Sequence, residues 1–178
     1  DINPLTENID HPLVTLPQLD KSIQKDAVLL VTEEDCSPET SLEAKDLEVK
    51  ILPLYLEKKY PPWIEPNNSV RFFSNTAVKN TCQRLGQLGV EKIDKTKWTD
   101  AILEASDRLG TKNIIIPKVP VGAVKSKLRK VKKNLAEHDI YIYEHYKNYD
   151  MYTWQHASKG FFKLKKQIPN ILNQLGLS

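Results

Sequence analysis

The chain has 178 residues, of which 40% are hydrophobic and 28% charged, a composition typical of one globular domain and not of a disordered chain. No apolar run approaches the ~20 residues that a bilayer crossing requires, so we expect a cytoplasmic protein without a membrane partner. Two cysteines are too few for a disulfide framework and lack the spacing of metal ligands, which favours a reducing compartment. Because the chain begins at Asp1 and not at Met, we expect a fragment or a processed product.

The net charge of +3 conceals a strong asymmetry along the chain. Residues 1–66 contain 6 Lys and Arg against 14 Asp and Glu, whereas residues 67–178 contain 20 against 9. Between Thr111 and Asn134 there are eight basic residues and no acidic one. This polarity predicts an anionic partner for the second half, or an acidic neighbour within a larger protein.

The first 22 residues are rich in proline and polar side chains and predict an arm or linker, which leaves 23–178 as the domain. Short apolar runs then predict strands that are buried on both faces. These runs are DAVLLVT (26–32), VKILPLYL (49–56), NIIIPKV (113–119) and IYIYEHY (140–146), with VEKI (90–93) as a fifth candidate.

Amphipathic segments between these runs predict helices. The first helix begins near Ser69 and ends near Gly89, and one of its faces carries Val70, Phe73, Val78, Leu85 and Leu88. The second covers 94–110 and ends at Gly110, and one of its faces carries Trp98, Ala101, Ile102, Ala105 and Leu109. The third covers 121–139. Apolar strands that alternate with amphipathic helices are typical of parallel βαβ units. We therefore predict an α/β fold with a doubly wound, mostly parallel sheet of four or five strands, helices on both faces, and functional loops at the carboxyl ends of the strands.

The stretch WQHASKGFFKLKKQIP (154–169) has three possible roles: an active site, a membrane anchor or a packing element. A helix over 160–175 would place six apolar residues on one seam and Lys163, Lys165 and Lys166 on the polar side; the seam residues are Phe161, Leu164, Ile168, Ile171, Leu172 and Leu175. A basic amphipathic helix can lie on a membrane, but the same seam suits packing on a sheet. We favour a C-terminal helical clasp.

Two loops are candidates for ligand binding at the predicted sheet edge. Lys118 and Gly122 lie between a strand and a helix, where backbone N–H groups attract phosphate; the alternative is an ordinary turn. Thr32 and Glu33 follow the first strand in an acidic loop that could receive a ribose or a metal, or could simply be solvated. These four residues are the predicted ligand-binding set.

The helix over 121–139 carries four cations, Lys125, Arg129, Lys132 and Lys133, which share one side at helical spacing. Such a stripe is typical of a surface that binds a phosphate backbone. It is also compatible with an acidic protein partner or with a solvated helix face. The four histidines are too far apart in sequence for a ligand set, so we predict neither a metal site nor a catalytic residue.

Three segments of the chain resemble the N-terminal α/β domain of the photolyase/cryptochrome family in their order. They are SVRFFSNTAVKNTCQRLGQLGV (69–90), LEASDRLGTKNIIIPKVPVG (103–122) and YDMYTWQHASKGFFKLKKQIPNILNQLGL (149–177). The departure from the family is TEEDC after the first strand, where an Arg-rich turn is usual. The large helical region that holds FAD in that family has no counterpart here.

The resemblance implies a noncatalytic, Rossmann-like α/β domain of a DNA-repair flavoprotein, with DNA or chromophore binding as a further expected role. Its expected partners are the FAD-binding helical domain of the same protein and DNA, and FAD would be a cofactor of the parent protein that this segment does not bind alone. Two alternatives from other classes stay open: a stand-alone Rossmann-like nucleotide-binding protein and a nucleic-acid-binding accessory domain.

Overall fold

The computed structural model describes residues 26–41, 48–56, 67–85, 97–157 and 160–177. The predicted arm over 1–22 and the candidate strand over 90–93 lie outside these ranges.

The described chain contains one four-stranded sheet in which every pairing is parallel. The strands are β1 (Asp26–Val31), β2 (Glu48–Pro53), β3 (Asn113–Pro117) and β4 (Tyr141–His145), in the spatial order β2-β1-β3-β4. Proline is tolerated at the end of β2 because β2 is an edge strand. The predicted α/β class with a parallel sheet is confirmed, and each strand ends slightly earlier than its apolar run.

The described residues contain five α-helices: α1 (Asn68–Arg84), α2 (Trp98–Leu109), α3 (Ala123–Ala136), α4 (Asn148–Trp154) and α5 (Phe161–Gln174). A short 3-10 turn covers Pro38–Ser41. Gly110 ends α2 in the left-handed conformation, with φ of 63°, as the sequence predicts for a C-terminal glycine.

The side chains of β1 divide between two core clusters because successive strand residues point to opposite faces. Val28 and Leu30 belong to the larger cluster, with apolar residues of α2 and α3 such as Trp98, Ile102 and Leu128. The smaller cluster combines alternate residues of β1, one residue of β3 and two of α1; its members are Ala27, Leu29, Val31, Val78, Cys82 and Ile115. Side chains of β1 therefore contribute to both clusters.

The predicted apolar face of α1 is only partly buried. Val78 is buried, but Val70 is 47% exposed and Phe73 is 74% exposed. The inward contacts of α1 come from Val78, Thr81 and Cys82, all in its second half. The first half of the helix thus contributes little to the described core.

The chain divides into two compact units, with a boundary after Lys147. The sheet and α1 to α3 belong to one unit, and α4 and α5 belong to the other. In α5 the predicted seam is buried at Ile171, whereas Phe161 and Phe162 are exposed. The packing of this helix as a clasp on the sheet stays a prediction, as does a single domain over 23–178.

Candidate functional site

The strand order places a topological switch point between β1 and β3. The chain passes from β1 outward to β2 and then returns to β3 on the other side of β1. In open parallel sheets, ligands bind at the carboxyl ends of the strands near such a reversal. Thr32 directly follows β1 and Lys118 directly follows β3, so these two of the predicted ligand-binding residues lie at that edge. We call this region the sheet edge.

The acidic loop after β1 is organised by Asp35. The carbonyl oxygen of Thr32 accepts a hydrogen bond from the Asp35 backbone N–H at 3.2 Å. One carboxylate oxygen of Asp35 accepts from the Ser37 backbone N–H at 2.8 Å, and Lys147 pairs with the same carboxylate at 2.9 Å. Glu33 is half-buried in the turn and Thr32 is buried. The loop is therefore an ordered turn, and its ion-pair partner Lys147 follows β4 in the chain.

The same loop is hydrogen-bonded to the last turn of α1. The carbonyl oxygen of Cys36 accepts hydrogen bonds from Thr81 Oγ1 at 3.0 Å and from Arg84 Nη2 at 2.7 Å. Arg84 also forms an ion pair with Glu39. Burial raises the pKa of the neighbouring Cys82 thiol, and Cys36 adds to that rise. A buried thiol with a raised pKa is a poor nucleophile.

Three lysines converge on the carboxylate of Glu144, where β3 and β4 meet the sheet edge. Lys125 Nζ lies 2.6 and 2.5 Å from the two oxygens of Glu144, Lys132 Nζ lies 2.8 Å from Oε1, and Lys118 Nζ lies 3.5 Å from Oε2. Glu144 is in β4, Lys125 and Lys132 are in α3, and Lys118 follows β3. We call Lys118, Lys125 and Lys132 the lysine triad.

The triad controls the ionisation of Glu144. Burial by itself would raise the pKa of this carboxyl, but the ammonium groups of Lys125, Lys132 and Lys118 outweigh it and lower the pKa from 4.5 to about 2. Burial would likewise lower the pKa of Lys118, but Tyr146 and Glu144 reverse this and raise the pKa. Lys118 Nζ also lies 5.1 Å from the centre of the Tyr146 ring. Glu144 and Lys118 are therefore charged at neutral pH.

The structure divides the predicted basic stripe of α3 into two pairs. Lys125 and Lys132 are half-buried against Glu144, whereas Arg129 and Lys133 are exposed. Position relative to the apolar stripe does not signal this division, because exposed Arg129 follows the buried Leu128 just as Lys125 and Lys132 follow buried valines. The acceptor Glu144 was absent from the predicted set, since nothing in its spacing connects it to α3.

Gly122 is the last residue of the β3–α3 loop, which begins with Lys118. It is exposed, it precedes the first residue of α3, and its carbonyl oxygen accepts a hydrogen bond from the Ser126 N–H at 3.0 Å. The structure thus places Lys118 and Gly122 on one β3–α3 loop and Thr32 and Glu33 on the adjacent β1 loop. A phosphate or nucleotide pocket formed by these four residues stays a prediction.

No protein-family model matches the chain, and no curated protein matches it.

Function must therefore be inferred from the residues of the chain itself. Within the ranges that the structure describes, no three His, Cys, Asp or Glu side chains form a group that could hold a metal ion. Across those same ranges, no helix combines the length and the apolar character that a membrane crossing needs. Along the sheet edge, Asp35 and Glu144 are engaged by lysines, and Arg129 and Lys133 of α3 are exposed. This arrangement is chemically suited to binding anions.

Proposed function

We propose that the chain is the noncatalytic α/β domain of a photolyase/cryptochrome-like flavoprotein, in which it supports a helical FAD-binding domain. The observation that supports this proposal is the parallel β2-β1-β3-β4 sheet, formed by a chain whose segments over 26–177 resemble that family in their order. A doubly wound arrangement with helices on both faces, a C-terminal clasp and a cytoplasmic location belong to the same proposal.

The chemistry of the sheet edge favours a supporting role over catalysis. General acid–base catalysis needs a group whose pKa lies near the operating pH. Glu144 has a pKa of about 2, far below neutrality, and the pKa of the buried Cys82 thiol is raised. Asp35 is held by Lys147 and by the backbone of its own loop. In this proposal FAD belongs to the helical region of the parent protein and is not bound by this segment alone.

The parent gene tests the proposal directly. We expect its reading frame to encode a helical FAD-binding region, and we expect the full-length product to purify with the visible absorbance of bound flavin. Expressed as two separate polypeptides, the 178-residue chain should co-purify with the helical region and slow its loss of FAD during dialysis. A reading frame without such a region, or a helical region that retains FAD equally well without this chain, would contradict the proposal.

A second candidate function is nucleic-acid binding, which one specific observation favours. Arg129, Lys130 and Lys133 are exposed on α3, and no carboxylate in the described part of the chain pairs with them. Adjacent exposed cations can neutralise backbone phosphates and release counterions, so the affinity for DNA would fall steeply with salt. DNA is a partner that the flavoprotein proposal also includes.

Fluorescence anisotropy with a labelled duplex tests this second function. Reversing the charges of Arg129 and Lys133 to Glu should weaken binding and reduce the salt slope by about 1 for each lost phosphate contact. The matched control reverses two other exposed lysines, Lys50 and Lys79, in β2 and α1. Equal losses in both double variants would indicate a response to net charge alone, and would refute a binding surface on α3.

A further inference from the structure

We propose that the lysine triad of Lys118, Lys125 and Lys132 is a binding site for one dianionic phosphoryl group, and that Glu144 occupies it as an internal counter-ion. The proposal does not depend on the flavoprotein function, because it rests on the charges and distances of these four residues alone.

The charge balance of the cluster points to an anion. Three ammonium groups share one carboxylate, and in the described part of the chain no other acid pairs with any of the three. The Lys125 side chain is only 18% exposed and that of Lys132 is 33% exposed. Holding cations out of water is unfavourable unless they are paired. The cluster therefore has two positive charges in excess, which a phosphoryl dianion would balance.

The geometry leaves donor capacity free for such a ligand. Each ammonium has three N–H donors, whereas a carboxylate has two acceptor oxygens. Lys125 and Lys132 contact Glu144 at hydrogen-bond distance, but Lys118 is 3.5 Å away and its side chain is 39% exposed. Lys118 also follows β3, at the edge of a parallel sheet where ligands bind. Lys118 is thus the member best placed to contact a ligand first.

The convergence of the triad favours a single phosphoryl group over a nucleic-acid backbone. A duplex presents singly charged phosphates in a row, and cations that bind it are spread along a surface, as Arg129 and Lys133 are. The triad instead directs three cations, two from α3 and one from the loop after β3, to one carboxylate. The shared chemistry of the ligand is therefore a phosphate monoester or inorganic phosphate.

The first experiment measures thermal unfolding in inorganic phosphate, compared with sodium chloride of equal ionic strength, at slightly alkaline pH. Phosphate should raise the melting temperature of the wild-type chain beyond the effect of chloride, in a saturable manner, because it binds the folded state only. Lys132→Gln should abolish the difference. The matched control is Lys79→Gln, which removes the same charge from an exposed position of α1 and should leave the difference intact.

Substitution of Glu144, the internal counter-ion, distinguishes a phosphate site from a purely structural ion cluster. Glu144→Gln removes the competing carboxylate and should tighten phosphate binding by about tenfold or more, which is about 1.4 kcal/mol. A purely structural ion cluster would lose stability in this variant without gaining affinity for phosphate. If Lys132→Gln does not fold, Lys118→Gln replaces it, since Lys118 has the longest contact and the most exposed side chain of the triad.

Calorimetric titration with inorganic phosphate and with AMP distinguishes the source of the phosphoryl group. Equal affinities would assign the site to the phosphate group alone. Tighter binding of AMP would assign it to a nucleotide whose ribose or base contacts the neighbouring loops. Identical effects of phosphate and chloride on both the wild type and Glu144→Gln would overturn the proposal, and so would a loss in Lys79→Gln as large as that in Lys132→Gln.

Discussion

Replacing Trp98 with alanine is expected to lower the free energy of unfolding by about 3–5 kcal/mol. Trp98 is the first residue of α2 and is 1% exposed. Its indole Nε1 donates a hydrogen bond to the carbonyl oxygen of Tyr55 at 2.8 Å, and Lys127 Nζ lies 5.1 Å from the centre of its ring. The side chain thus joins α2 to the chain after β2 and to α3, and its removal leaves a large cavity and removes the hydrogen bond to the Tyr55 carbonyl.

Two further variants separate the contribution of the buried ring from that of the hydrogen bond. Trp98→Phe keeps most of the apolar ring but removes the N–H donor, so we expect a smaller loss of about 1–3 kcal/mol. Phe72→Ala is the surface control, because Phe72 is 73% exposed, and it should change the free energy of unfolding by about 0.5 kcal/mol or less. Urea unfolding followed by far-ultraviolet circular dichroism measures all three without relying on indole fluorescence. A loss of about 1 kcal/mol or less in Trp98→Ala would show that the larger core does not depend on this residue.

The apolar pattern predicted the sheet and two of its helices because the same residues provide burial and periodicity. Val28 and Leu30 are buried as the continuous run predicts, and the spacing that placed Trp98, Ala101 and Ile102 on one face of a helix matches their burial in α2. These elements are read directly from hydrophobicity, because burial of their side chains on the sheet is what stabilises them.

The predicted face of α1 was wrong at Val70 and Phe73, which are exposed, and it missed a buried polar contact at Thr81. Thr81 is 2% exposed, and its hydroxyl lies within hydrogen-bond distance of the Cys36 carbonyl at 3.0 Å and of the Ala77 carbonyl at 2.9 Å. A threonine whose hydroxyl is hydrogen-bonded can be buried at little cost, so it can occupy a position that a hydrophobicity pattern assigns to solvent.

The candidate site was predicted only in part, because its ion pairs depend on how the strands pair and not on local spacing. Lys118 lies at the sheet edge, as the β3–α3 turn suggests, but its ionic partner comes from β4. Pairing of Ile116 with Glu144 in the parallel register brings that carboxylate beside the β3–α3 connection. Register between strands that are distant in sequence is not encoded in local spacing, so the convergence of three lysines on Glu144 could be found only from the fold.

The charge of Glu144 should make the stability of the chain depend on pH in a defined window. The folded-state pKa is about 2, below the ordinary value of 4.5, so the carboxylate stabilises the folded state at pH values above 4.5. This contribution is lost as the pH falls through the folded-state value of about 2. The shift corresponds to about 3 kcal/mol at neutral pH, and the Glu144 side chain is only 13% exposed, so screening by water removes little of it.

Glu144→Gln is accordingly expected to lower the free energy of unfolding by about 2–3 kcal/mol at neutral pH, because it also leaves the three lysines without their shared counter-ion. The difference from the wild type should shrink steadily below pH 4.5 and vanish only below pH 2, where the wild-type carboxyl is itself protonated. Urea unfolding across this range measures the difference at each pH. Glu137→Gln is the matched control, since Glu137 is an exposed acid at the end of α3, and its effect should stay within about 0.5 kcal/mol throughout. A deficit in Glu144→Gln that is constant with pH would instead indicate that the glutamine disturbs packing, and that the lysines do not hold the carboxylate in its charged form.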